Sequence, residues 1–335
     1  MFGRRRALQD VKSGSRPMRG PVSEAFRQLL KNKAGVAGGV FIICLVIISF
    51  FPDSLIISKI FGVEIRQWIA PYPYAKVSFR NRDLPPGSPG YLLGSDYLGR
   101  DVLSRTLYGT RISLAVALVA SSVSLLIGLT YGVISGFART GVDNLMMRFV
   151  DFLYGFPLII FIILLQAYFK AVSRRGGVGL TGVLTDIDKA MGGLFFVFIA
   201  LGLLNWIGMA RLARGQTLSV KRKEFIEAAR ASGASDLRIV FRHVLPNIIG
   251  PCIVAETLAI PGYILTEAFL SFIGLGVTPP IPSWGLMISE TYPAIRVAAW
   301  QCLVPGIALT LTTLSFNFLG DGLRDALDPR MRSTT

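Results

Sequence analysis

Apolar runs of 18 or more residues recur along this chain, separated by polar and charged stretches. As a helix, a run of that length crosses a hydrocarbon core of about 30 Å. Six spans are placed on this pattern, at 34–51, 112–137, 149–169, 192–213, 248–275 and 300–319. The fifth is expected to be interrupted by Pro251 and by Pro261-Gly262, because proline removes a backbone donor from a helix interior. The expected organisation is a basic tail over 1–33, a first transmembrane helix over 34–51 and an external segment over 52–110. A five-helix core over 111–320, with a polar loop at 214–247, and a tail over 321–335 complete it.

Composition supports this reading. Only 16% of residues are charged, against about 25% in ordinary soluble domains, so a large soluble protein with buried core helices is disfavoured. The net charge of +15 sits in loops and tails rather than on one domain. It points to orientation in a lipid bilayer rather than to nucleic acid. Nine Lys and Arg, among them Arg4-Arg5-Arg6, precede residue 34, against two acids, and eight more lie between Arg211 and Arg242. With six spans these two stretches share one side, and short basic loops stay in the cytoplasm. Both termini are therefore expected to be cytoplasmic. Arg174, Arg175 and Lys189 run against the trend in an outside loop. About 33 polar, basic residues before the first run speak against a cleavable signal, so that run is expected to be a permanent anchor. Cys44, Cys252 and Cys302 lack metal-ligand spacing and read as small core residues.

Two polar stretches carry more information. GSDYLGRDVLSRTLYGTRISL, from Gly94, suggests a short helix on the outer surface, capped by Ser95 or Asp96. Leu98, Val102 and Leu103 would share its apolar face, with Arg100 and Arg105 off it. The second stretch, EFIEAARASGASDLRIVFRHVLPN, lies at 224–247. Two glutamates, internal alanines and Gly233 predict a helix over 224–232. Ser235 or Asp236 then caps a second helix. Its residues Leu237, Val240, Phe241, Val244 and Leu245 form a stripe at helical spacing, and Pro246 stands at a turn into the fifth span. By periodicity alone this is either a connector or a docking element.

Glu227-Ala228-Ala229, three residues, Gly233, and then Leu245-Pro246 resemble the EAA loop of membrane subunits of ATP-binding-cassette importers. His243 fills a place where that pattern often has an apolar residue. GSDYLGRDVLSRTLYGTRISL, EAFLSFIGLGVTPPIPSWGLMI (from Glu267) and NFLGDGLRDALDPR (from Asn317) resemble the C-type membrane subunit of the dipeptide/oligopeptide permease family. The likeness runs from about residue 91 to 330, apart from 173–189. It implies an all-α polytopic membrane protein with six transmembrane helices in the type I, MetI-like permease fold, in a bacterial or archaeal plasma membrane. It implies that Glu227, Ala228, Ala229, Arg230, Gly233, Leu245 and Pro246 couple the chain to a cytoplasmic ATPase. The implied partners are a B-type second permease subunit, two ATPase subunits that bind ATP and Mg, and an external solute-binding protein near 52–110 and 277–284. The implied cargo is di- or oligopeptide, with nickel complexes, glutathione or oligosaccharides carried by relatives. The chain has no phosphate-binding G-x-x-x-x-G-K-[ST] loop, so no catalytic residue and no cofactor of its own are expected.

Glu256, Thr257, Pro261, Gly262 and Glu267 make the fifth run the most polar. Acids at membrane depth face a protein interior or a water-filled cavity. Eleven residues are close to three helical turns, so Glu256 and Glu267 share a face that is a candidate translocation path. Each also has a plainer reading: Glu267 snorkels or caps a neighbour, and Glu256 pairs with a polar group in a partner subunit. Asp151 is expected to favour a helix N-terminus. An ion-coupled secondary transporter would show a repeat with paired broken helices, and an intramembrane enzyme would need a constellation that a lone histidine does not supply.

Overall fold

A computed structural model describes residues 21–50, 70–155, 157–175 and 179–327. Arg4-Arg5-Arg6, the first part of the external segment and the last residues of the C-terminal tail lie outside them. The described residues form helices without strands: α1 (Pro21–Lys31), α2 (Lys33–Phe50), α3 (Val102–Phe137), α4 (Thr140–Tyr154), α5 (Leu158–Arg175) and α6 (Leu180–Ala190). They continue as α7 (Phe195–Lys221), α8 (Glu224–Ala231), α9 (Asp236–Phe272), α10 (Trp284–Thr291) and α11 (Ala299–Leu327). Four helices, α3, α7, α9 and α11, are each long and apolar enough to cross a membrane. The pair α4–α5 makes a fifth span if its two halves are one bent pass, and α2 is a shorter apolar helix.

The third predicted span, 149–169, is not one straight helix. Its residues straddle a 74° bend between α4 and α5, between Gly155 and Pro157, a proline that cannot donate to continue the first helix. Asp151 consequently lies in the last turn of α4, not at a helix start, and pairs with Arg211 at 2.6 Å. The fifth span departs in the opposite sense. α9 continues through Pro251 and Pro261, because each proline removes a single backbone bond while its neighbours keep theirs and adjacent helices support the segment.

Between the ends of this bundle, α3 and α7 run parallel and in close contact. Gly128, Gly132 and Gly136 recur every four residues on α3. A Cβ at Gly132 would stand 2.4 Å from the Ala210 carbonyl oxygen, and one at Gly128 2.7 Å from that of Trp206. Small residues at this spacing let two backbones approach where lipid offers no hydrophobic drive between helices. Gly38 on α2 meets the Ser315 carbonyl of α11 in the same way. The largest core cluster joins α3, α7, α9 and α11 through Leu114, Leu201, Ile264, Leu270 and Phe316, with Trp284 of α10 at one end.

Residues 70–101 form a turn-rich dome at that same end, above the start of α3. The predicted surface helix is absent: 94–101 are turns and a bridge, and the helix begins only at Val102 and runs 36 residues without a break. Asp101, not Ser95 or Asp96, is its cap, accepting the Ser104 N–H at 2.7 Å. At 1.5 Å per residue α3 is about 54 Å long, so the apolar stretch and its amphipathic lead are one element that projects past the bilayer core.

Candidate functional site

The helix α8 closes in a complete C-terminal motif. Gly233 sits at φ +79°, its N–H donates to the Arg230 carbonyl at 2.9 Å, and the Ala234 N–H donates to that of Ala229 at 3.1 Å. This pairing satisfies carbonyls that the helix end would leave free. Ser235 caps the next helix by accepting from the Arg238 N–H. The inner face of this loop packs on its own core of Ile226, Ile239, Val244 and Ile248, together with Val133 of α3 and Val220 of α7. The predicted stripe is therefore half corrected. Val240, Val244 and Leu245 face inward, but Leu237 and Phe241 are 72% and 68% exposed, and Ile239 takes the buried place.

The cause is a π-turn. Residues Val240–Val244 are π-helical, and the Leu245 N–H donates to the Val240 carbonyl five residues back. One extra residue in the turn shifts the buried face, so the inward positions run 239, 244, 248 instead of following a simple 3.6 period. Pro246 does not mark a turn. It follows the π-turn inside a continuous helix, where the widened turn absorbs a residue that cannot donate.

The residues implied as coupling groups divide by exposure. Glu227 and Ala228 face outward, and Glu227 has no ion pair among the described residues. Ala229 is half-buried against the loop core. Arg230 lies over the Phe137 ring at 5.5 Å. Lys221 caps the end of α3 by donating to the carbonyls of Gly136, Phe137 and Ala138, a favourable place for a cation. Between α8 and the start of α9 lies a cavity of 620 Å³ walled by Phe225, Ala228, Arg238, Arg242 and His243.

Further along α9, Glu256 and Glu267 are both buried against α3. Glu256 accepts from the Tyr263 hydroxyl at 2.7 Å and from Ser124 at 3.2 Å. Both of these polar partners lie within this chain. Glu267 is fully buried and accepts from Ser271 at 2.7 Å and Ser113 at 3.3 Å; it neither snorkels nor lies open. A cavity of 370 Å³ opens between α7 and α9, and Glu256 and Gly262 line it with Asn205, Gly208, Met209 and Thr266. Thr257, Pro261 and Glu267 do not reach it; the Thr257 hydroxyl donates to the Ile253 carbonyl. The α7 contributors escaped the sequence reading because a single Asn between apolar residues carries no periodic signal.

At the dome, Arg100 and Arg105 are buried rather than off an apolar face. Glu290 of α10 accepts from Arg100 at 2.8 Å and from Arg105 at 3.0 Å, and Asp96 holds Arg100 at 2.6 Å. Burial pulls the pKa of Arg100 down, but Asp96 and Glu290 outweigh it and the net shift is upward. Asp101 is moved upward by burial, against the hydrogen bonds from Ser104.

Residues 128–333 match the family described as binding-protein-dependent transport system inner membrane component. Residues 20–86 match the N-terminal transmembrane domain of oligopeptide transport permease C. An oligopeptide transport system permease protein of Haemophilus influenzae is 39% identical over 310 residues, covering 92% of this chain and 88% of that protein. A dipeptide transport system permease protein of Bacillus subtilis is 36% identical over 325 residues, covering 97% and 90%. Among solved structures, an inward-facing MetNI methionine ABC transporter aligns with a TM-score of 0.51 at 20% identity, over 67% of this chain and 96% of that one, a likeness of fold.

Proposed function

The chain belongs to the family of binding-protein-dependent transport inner membrane components, and from that membership we propose that it forms half of the translocation path of an ATP-driven importer of di- or oligopeptides. It is a non-catalytic, membrane-spanning permease subunit. ATP and Mg belong to two partner ATPases. A homologous B-type permease subunit supplies the other half of the path, and an external solute-binding protein delivers the peptide to the dome side. Both termini and the 224–247 loop face the cytoplasm.

The observation that supports this best is the continuity of α9. One helix joins the loop at Asp236 to the cavity wall at Glu256 and Gly262 and ends at Phe272. Glu227 and Ala228 dock in a groove of the ATPase, and the small alanine permits close approach. When the ATPases close, the loop moves as a unit because its inner face is a packed core, and α9 carries that motion to the cavity without an intervening hinge. Arg230 over the Phe137 ring ties the same loop to the end of α3, and Lys221 at the end of α7 holds that end too, so α3 moves with the loop.

Affinity purification of the tagged chain from its native membrane tests the assembly. A second permease chain and ATPases should co-purify, and the reconstituted complex should take up a tripeptide only with ATP and binding protein. Recovery of the chain alone with ion-driven uptake retained would overturn the proposal.

A further inference from the structure

Lys170, Arg174 and Lys189 are cations on the side that the orientation trend leaves poor in them. The structure gathers all three around one cavity of 520 Å³ at the ends of α7 and α9 remote from the 224–247 loop. Its walls are stitched together. Lys170 Nζ donates to the Gly274 carbonyl at 2.9 Å, the Thr278 N–H donates to that of Gly192 at 3.1 Å, and Asp188 accepts from the Phe196 N–H at 3.3 Å. The cavity is thus a built feature and not a gap between loose turns.

Its charge is unbalanced. Among the described residues of the lining, Asp188 is the one carboxylate, set against three cations. Lys189 has a long contact of 3.8 Å to the exposed Asp186, and Arg174 has no carboxylate partner among the described residues. Apolar Val277, Ile281 and Leu286 close the opposite wall, and a low-dielectric wall beside like charges focuses their field on whatever enters. An arginine with a free planar fork is matched to a carboxylate.

The position gives this charge a use. α7 and α9 also bound the cavity at Glu256, about 24 Å along α9 from its end at Phe272. A solute moving along these helices meets the basic cavity first and the acidic one afterwards. We propose that the outer cavity is a carboxylate-binding site that receives the C-terminal carboxylate of the peptide as it leaves the binding protein, with Arg174 and Lys189 as the principal contacts and Lys170 holding the wall. This rests on the peptide reading above.

The test uses the complete reconstituted complex with its binding protein. Uptake of trialanine and of its C-terminal amide is compared, with the affinity of the binding protein for each measured separately and each delivered at saturation. The probe is repeated in vesicles of neutral lipid and of neutral plus anionic lipid. The unaltered complex should prefer the acid about tenfold, equivalent to one Kd decade. Arg174→Gln with Lys189→Gln should bring the acid-to-amide ratio near one, and Arg174→Lys should keep only part of the preference, because it retains the charge without the planar fork. Equal uptake of acid and amide by the unaltered complex would overturn the site, as would a double variant that slows both alike. Dependence on anionic lipid without acid preference would assign the cations to lipid headgroups and overturn it too. If neither peptide is imported while another solute is, the peptide reading falls and takes this inference with it.

Discussion

Gly233 holds a backbone conformation that an L-residue reaches only at a cost of about 1 kcal/mol. A Cβ there would meet nothing within 4 Å, so the cost of Gly233→Ala is conformational and not steric. Amide exchange should therefore speed up across α8 with little change in the spans, and Gly233→Pro, locked near φ −65°, should unfold the loop end. Exposure also separates the two alanines. Ala228 is on the surface and Ala229 packs inward, so arginine at 229 disturbs the loop itself. Ala228→Arg is the cleaner probe. It should leave thermal stability nearly unchanged and abolish solute-stimulated ATP hydrolysis in the reconstituted complex; full stimulation would remove Ala228 from the proposed docking face. Deeper in the bundle, Glu267→Ala would leave the hydroxyls of Ser113 and Ser271 without their acceptor. The expected loss is about 1–3 kcal/mol, read from denaturation in detergent.

At the scale of elements, α3 and α7 depend on absent side chains. Gly132→Leu would drive a side chain into the Ala210 carbonyl, at a site where the backbone itself is the neighbour. Overpacking typically costs about 1–3 kcal/mol, so the variant should insert but lose heat stability, read as a lower Tm in detergent than that of the unaltered chain. The π-turn at Val240–Val244 is a second such device. It sets the rotation of the loop about the axis of α9, and it lets an apolar set spaced 239, 244, 248 face one core. Counted at 3.6 residues per turn, Leu237 and Phe241 fall on the wrong side for this reason alone.

Across the whole molecule, the dome is fastened to the bundle by charge. Asp96, Arg100 and Arg105 on the dome and the start of α3 meet Glu290 on α10, with Glu290 the most exposed of the four at 14%. Gln301 of α11 adds hydrogen bonds to Asp83 and to the Ser95 carbonyl. Removing one member of a buried ion pair costs about 3–5 kcal/mol, because the partner is left charged and dry. Glu290→Gln should accordingly loosen residues 70–101, measured as faster proteolysis of the dome with α7 and α9 still protected.

The chain by itself determined that it is a helical membrane protein, because runs of apolar residues must be buried in lipid whatever their partners are. It also determined the existence and limits of α8, since Gly233 and the Ser235 cap act within a few residues. Only the tertiary structure decided how the polar residues of the fifth run divide. Glu256 reaches a cavity because α7 leaves a gap beside Gly208 and Gly262, while Glu267, on nearly the same face, is enclosed by Ser113 of α3. It also decided the fate of Arg100 and Arg105. Their burial depends on Glu290, nearly two hundred residues away, and no local pattern reports a charge partner at that distance. Local signals fix helices because their causes are local; depth, pairing and cavities depend on which helix lies alongside, and that is settled only when the bundle closes.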